Sequence, residues 1–132
     1  MDLPEIRKKI KDLGAARFKI EMEMIRELSR KKMLKGSVVK KYKACGKEGC
    51  KCTKGELHGP FYYLTYKKEG KTKMIFLRQN IWESALKLND NYRTWRSKRA
   101  QVSKINREIL RLLDIMEEGS KVSLESIYGS KR

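Results

Sequence analysis

Two long runs of apolar residues at helical spacing bracket a middle section with a different pattern, and this arrangement limits what the chain can fold into more than any other feature. In the first run, residues 3–34, Ile6, Ile10, Leu13, Ile20, Met24 and Leu28 recur at steps of three, four and seven. That spacing gives a helix one apolar face. Asp2 is placed to cap it, Pro4 suits its first turn, Gly14 weakens it without breaking it, and Gly36 just after Leu34 is a stop signal.

The second run, residues 80–118, repeats the pattern with Leu88, Tyr92, Trp95, Val102, Ile109, Leu113 and Met116, with Asn80 as cap and Gly119 as terminator. At about 1.5 Å per residue such a helix is roughly 55 Å long. A small head cannot cover that length, so it must pack on the first helix, on another copy, or on both. Arg99 and Asn106 interrupt the apolar seam, as register-setting polar residues do.

Between the runs, "SVVKKYK", "PFYYLTYK" and "KTKMIFLR" are rich in β-branched and aromatic residues, and "KEG" between the last two marks a hairpin turn. Strands are expected at 37–43, 61–67 and 72–78. The expectation is an α+β fold in which two long antiparallel helices flank a small three-stranded antiparallel sheet with a zinc-knuckle-like loop. The 132 residues fall within the size of one domain. It divides into helix 3–34, a basic loop-and-hairpin module at 36–78, helix 80–118 and a polar tail at 119–132 that docks or frays.

The loop "CGKEGCKCTKGELHGP" holds all three cysteines and the sole histidine, spaced Cys45-x4-Cys50-x-Cys52-x5-His58. Thiolates and imidazole are the donors zinc prefers, and a short loop gathers them without ordering much extra chain. Gly46, Gly49, Gly55 and Gly59 allow the bends, and Lys47, Lys51 and Lys54 offset the charge of three thiolates. The competing readings are a loop of merely small cysteines and a redox thiol pair. A disulfide framework is disfavoured by the odd cysteine count.

The formal net charge of +17 points to an anionic partner, nucleic acid first. Residues 35–78 carry twelve basic against three acidic side chains, whereas both flanks have the mixed charge of solvated helix faces. Lys40, Lys41, Lys43, Lys47, Lys51, Lys54, Lys67, Lys68, Lys71 and Lys73 are therefore the candidate phosphate contacts, joined by Arg93, Arg96 and Arg99 on the second helix. Phe61, Tyr62, Tyr63 and Tyr66 could stack on exposed bases, but most of them are expected in the small core between sheet and helices, leaving one Tyr free to stack.

The stretch from Gly36 to Arg78, with Tyr42-x-x-Cys45-Gly46, then Cys50-x-Cys52, then His58-Gly59-Pro60 followed by aromatics, resembles the central block of an uncharacterised family of small basic prokaryotic proteins, a domain of unknown function. The resemblance implies that the cysteine–histidine site is a unit, and the layout is similar to that of accessory proteins of mobile elements.

Catalysis is not expected. The basic centre offers only Glu48, Glu56 and Glu69 as carboxylates and no second histidine for a nuclease, and a tyrosine nucleophile would need His58 for itself. No run of about 18 apolar residues is present, and the opening is too charged for a secretion signal, so a cytoplasmic protein is expected. The functional expectation is a zinc-dependent, non-catalytic nucleic-acid-binding protein, DNA ahead of RNA, with homodimerisation through the long helices as a further partner expectation. The alternative is a coiled-coil scaffold or adaptor for an acidic protein or ribonucleoprotein.

Overall fold

The order of apolar patterns along the chain translates directly into helix, sheet, helix. The computed structural model describes residues 2–129, in two compact units. One comprises residues up to 29 together with those from 96 onward, and the other spans 30–95. Among the described residues no helix is long and apolar enough to cross a membrane.

Helix α1, Leu3–Arg30, begins as its sequence indicates. The Asp2 carboxylate accepts from the Glu5 backbone N–H at 2.9 Å, and the Asp2 carbonyl accepts from Ile6 at 3.0 Å, satisfying donors that a helix start leaves open. In the first unit α1 lies against the later part of α2, Trp82–Ser120. Lys98 is paired with Glu27 and lies 3.7 Å from Glu23, Arg17 donates to the Asn106 side-chain carbonyl at 2.8 Å, and Lys9 stands 3.9 Å from Glu108. Positions rise on α1 as they fall on α2, so the helices are antiparallel. Ile6 and Leu112 are fully buried and Ile109 nearly so. Asn106 does occupy the seam, whereas Arg99 is exposed and its neighbour Lys98 makes the interhelical contact. The tail contains a five-residue helix α3, Leu124–Tyr128, capped by the Ser123 hydroxyl, which accepts from the Ser126 N–H.

The second unit holds a sheet of β1, Ser37–Lys43, β2, His58–Lys68, and β3, Lys71–Leu77, in the order β1-β2-β3 with both pairings antiparallel. Glu69 and Gly70 both have positive φ, 53° and 76°, which makes the β2–β3 connection the two-residue turn whose twist suits a hairpin. One face of the sheet packs on the start of α2. Leu64, Leu77 and Ala85 form the core, with Leu34, Val38, Tyr62, Tyr66 and Trp82 around it. The Trp82 indole N–H donates to the Leu77 carbonyl at 2.7 Å, and its ring meets Tyr62 edge-on at 4.7 Å.

Several boundaries differ from the sequence expectation. α1 stops at Arg30 rather than 34 because the following backbone is claimed by α2. The Leu34 N–H donates to the Leu88 carbonyl, the Asn89 amide donates to the carbonyls of Leu34 and Gly36 at 3.0 and 2.7 Å, and Asn91 donates to that of Lys32. Gly36 therefore ends this connection, not the helix. Its φ is 114°, and a Cβ there would lie 2.4 Å from the Thr65 carbonyl oxygen. α2 starts at Trp82 after a 3-10 turn, Gln79–Ile81, that takes in the expected cap Asn80, and it continues past Gly119 to Ser120. β2 reaches back to His58 and forward to Lys68, while β3 runs Lys71–Leu77 rather than 72–78.

Asn89 is 3% exposed, the one buried polar residue among those described, and its amide holds two carbonyls that have no other described partner in the connection. Replacing it by Ala leaves those acceptors unsatisfied. Asn89→Ala should lower stability by about 2–3 kcal/mol, the penalty of buried groups losing their partner. Urea unfolding of variant and parent measures this; a change below about 0.5 kcal/mol, the range of neutral surface substitutions, would contradict it.

Candidate metal centre

The loop from residue 44 to 57 has little apolar material to fold around. Its backbone closes on itself through weak turn bonds, Cys50 N–H to Lys47 at 3.4 Å, Gly55 to Cys52 and Glu56 to Lys51 at 3.3 Å, and a 3-10 turn, Lys51–Lys54. Yet four soft side chains converge there. One donor atom from each of Cys45, Cys50, Cys52 and His58 lies within 4.8 Å of all the others. The Cys45 and Cys52 sulfurs are 3.4 Å apart, and the Cys50 sulfur is 3.1 Å from His58 Nε2.

Tetrahedral edges calculated from Zn–S of about 2.3 Å and Zn–N of about 2.0–2.1 Å are roughly 3.5–3.8 Å. The two separations above are somewhat shorter than these edges, and no pair of donors exceeds 4.8 Å. The donor set, three thiols and one imidazole nitrogen, thus fits a soft or borderline divalent metal in four-coordinate geometry.

Two local devices aim the donors. Gly46, Gly49 and Gly55 all have positive φ, as the bends of a tight loop require. At the start of β2, Lys41 pairs with Phe61 but Lys43 pairs with His58, so Gly59 and Pro60 together oppose Tyr42 alone. This is a bulge, and it reverses the side-chain parity of everything before it. In an unbroken strand His58 would share the core face of Tyr62 and Leu64. The extra residue turns it to the opposite face, where the cysteine loop is. Gly59 is required at this crossing: its φ is 141°, and a Cβ would lie 2.8 Å from the Tyr42 ring and 2.9 Å from the Lys41 carbonyl oxygen.

Electrostatics single out the most buried sulfur. The Cys45 backbone N–H donates to Cys52 at 3.4 Å and, against burial, brings the Cys52 thiol down to about 7, with hydrogen bonds from Cys45 and Cys50 and the nearby His58 adding to it. The Cys45 thiol is lowered by the Lys47 N–H but ends up raised, because its hydrogen bonds with Cys52 and Cys50, burial and the Cys50 charge together outweigh that donor. Thiolate character therefore starts at Cys52, the form in which a cysteine binds metal. The cluster opens into a cleft of about 450 Å³ that Cys45, Cys50 and His58 themselves line, together with Lys43, Ala44, Lys47 and Phe61.

The ten lysines do not form one patch. Lys40, Lys41, Lys43, Lys47, Lys51 and Lys54 lie at the loop end of the sheet, while Lys67, Lys68, Lys71 and Lys73 flank the hairpin tip. From His58 to Lys67 along β2 is roughly 30 Å at about 3.3 Å per residue. Arg93, Arg96 and Arg99 are exposed on α2. Of the aromatic run, Tyr62 and Tyr66 enter the core, and Phe61 and Tyr63 face the other way. Phe76, which no sequence pattern singles out, joins them: its ring centroid is 6.4 Å from Phe61 and 5.5 Å from Tyr63. The only signal for it is the strand register that pairs Tyr63 with Phe76.

Fold and donor set together define a small α+β protein with a knuckle-like cysteine–histidine loop beside a three-stranded sheet. The chain belongs to the family described as Domain of unknown function (DUF6788), whose model matches residues 3–81 and so takes in α1, the sheet and the cysteine loop. No curated protein and no solved structure matches it.

Replacing one donor tests the cluster as a unit. Cys50→Ser should lower bound metal well below the parent's stoichiometry and loosen residues 44–60, while leaving the helical circular dichroism nearly unchanged. Elemental analysis of the purified variant decides it, and an unaltered metal content would contradict the assignment.

Proposed function

We propose that this protein binds one zinc ion through Cys45, Cys50, Cys52 and His58, and that the metal-held basic module binds nucleic acid, DNA in preference to RNA, without catalysing a reaction. The observation that carries the reading is the convergence of all four soft donors of the chain at the most basic part of its sequence. Four protein donors leave no open coordination position, which suits a structural ion rather than a Lewis acid at work on a substrate. Around it Lys47, Lys51 and Lys54 are exposed on the loop, and Lys40 and Lys43 on β1. Lysine contacts to phosphate supply affinity and position. The preference for DNA rests on the resemblance in layout to accessory proteins of mobile elements.

A second reading has its own observation. On α1, Phe18, Met22 and Ile25 are 62%, 38% and 55% exposed and recur at steps of four and three, the spacing of a coiled-coil seam. This favours a scaffold that joins copies of the chain, or that docks an acidic protein or ribonucleoprotein. It is compatible with nucleic-acid binding by the other unit.

The lysine contacts are testable by cluster. Converting Lys47, Lys51 and Lys54 to Gln should weaken binding on every sequence and reduce the salt slope of log K by about 2–3, near one for each phosphate that the variant no longer neutralises. Converting Lys71 and Lys73 reports separately on the hairpin tip. Titrations of labelled polymers across a salt series measure both. Parent-level affinity and slope in both variants would move the grip to Arg93, Arg96 and Arg99, and absence of binding to any polymer at low salt would favour the scaffold.

A further inference from the structure

The sheet buries one face and leaves the other uncovered, and the uncovered face has an uncommon composition. Phe61, Tyr63 and Phe76 form a contiguous ring cluster across β2 and β3, with Phe76 49% and Met74 48% exposed. Two cations stand on the same cluster. The Lys43 and Lys41 ammonium groups lie 4.8 and 5.4 Å from the Tyr63 ring centroid. At the bulge this face runs up to the cysteine–histidine cluster, since Lys43 and Phe61 line the same opening as Cys45, Cys50 and His58.

We propose that this face is a stacking surface for single-stranded DNA, with bases on Phe61 and Phe76 and phosphates on Lys41 and Lys43. The proposal rests on the nucleic-acid reading above and specifies its form. The occupant follows from the chemistry of the surface. An apolar helix laid over the rings would bury the two lysines without counter-charge, which is expensive. An acidic peptide would satisfy the lysines and leave the rings in water. A duplex keeps its bases stacked inside and offers the rings nothing. An unpaired strand presents an anion and a flat aromatic face alternately along its length, and base stacking on such rings needs no particular sequence.

The Phe61 and Phe76 centroids lie 6.4 Å apart with their planes tilted by 50°. Recognition of RNA would use hydroxyl or amide groups directed at the 2′-hydroxyl. Four hydroxyls lie on this face, those of Ser37, Tyr63, Thr65 and Thr72; Thr65 donates to the Ser37 carbonyl and the Tyr63 oxygen accepts from Lys43. The strand is taken as DNA in keeping with the proposed function, and the oligouridylate comparison below tests that assignment.

The full-length, metal-loaded protein would be titrated by fluorescence anisotropy with a labelled oligothymidylate of about 16 nucleotides, the upper end of single-strand site sizes. The matching abasic deoxyribose-phosphate strand, a duplex and an oligouridylate of equal length are the comparisons. The parent should bind oligothymidylate more tightly than the abasic strand and the duplex. The double variant Phe61→Ala, Phe76→Ala should lose about 10-fold or more on oligothymidylate, with an unchanged salt slope and no loss on the abasic strand. The pair Phe61→Tyr, Phe76→Tyr should retain binding. Should the Ala pair lose metal or helix content, Phe61→Leu with Phe76→Leu keeps the apolar bulk and removes the rings. Equal binding of abasic and base-bearing strands by the parent, or full oligothymidylate affinity in the ring-less variants, would overturn the proposal. Tighter binding of oligouridylate would overturn its assignment to DNA. Salt-dependent duplex binding with no stacking effect would remove only this inference, whereas no binding to any strand would remove the nucleic-acid reading as well.

Discussion

A loop with almost no apolar core must be held by something other than the hydrophobic effect, and in this chain four soft side chains converge where such a constraint would act. Between Lys43 and His58 only Cys52 is buried among the described side chains, and the backbone contacts are turn bonds at 3.3–3.4 Å. Closing and ordering such a segment costs roughly 1–2 kcal/mol per residue in backbone entropy alone. A metal bound by three thiolates and an imidazole supplies free energy of that order, because ligand binding in such modules is folding free energy. The same bonds would tie Cys45, next to β1, to His58 at the first residue of β2, so one ion would fix both the loop and the mouth of the sheet.

The bulge at Gly59 and Pro60 gives that constraint its direction. By reversing side-chain parity it sends His58 to the face of Phe61 and Tyr63 while Tyr62, Leu64 and Tyr66 remain against α2. The sheet is thus divided between two tasks. Its core face is anchored by Trp82 and, through the connection from α1, by Asn89, whose buried amide holds the carbonyls of Leu34 and Gly36. Its other face carries rings, lysines and the cysteine loop. The proposed binding surface and the proposed ion are therefore on one side of the sheet, and loss of the ion would loosen the cleft before it disturbed the core.

Much of this is written locally in the sequence. The 3.6-residue period of Ile6 to Leu28 and of Leu88 to Met116 yields both helices, and the Lys-Glu-Gly turn yields the hairpin. The four donors are legible because the chain has no other cysteine or histidine. What is not legible depends on partners far along the chain. The end of α1 is set by Asn89 and Asn91, 55 and 59 residues from the carbonyls they hold. The bulge exists only relative to Tyr42 on the neighbouring strand. Phe76 joins the ring cluster through register, and the lysines fall into two groups because a sheet separates residues that a linear count places together. Likewise periodicity could not decide between Arg99 and Lys98, since Lys98 enters the helix pair on account of Glu23 and Glu27.

The central claim is that four named donors share one zinc ion. Zinc-edge X-ray absorption on the purified full-length protein measures this directly. The expected result is one zinc per chain with three sulfur scatterers at about 2.3 Å and one nitrogen at about 2.0–2.1 Å. A shell dominated by oxygen or nitrogen, or a folded protein that carries no metal after preparation in zinc-replete medium, would contradict it.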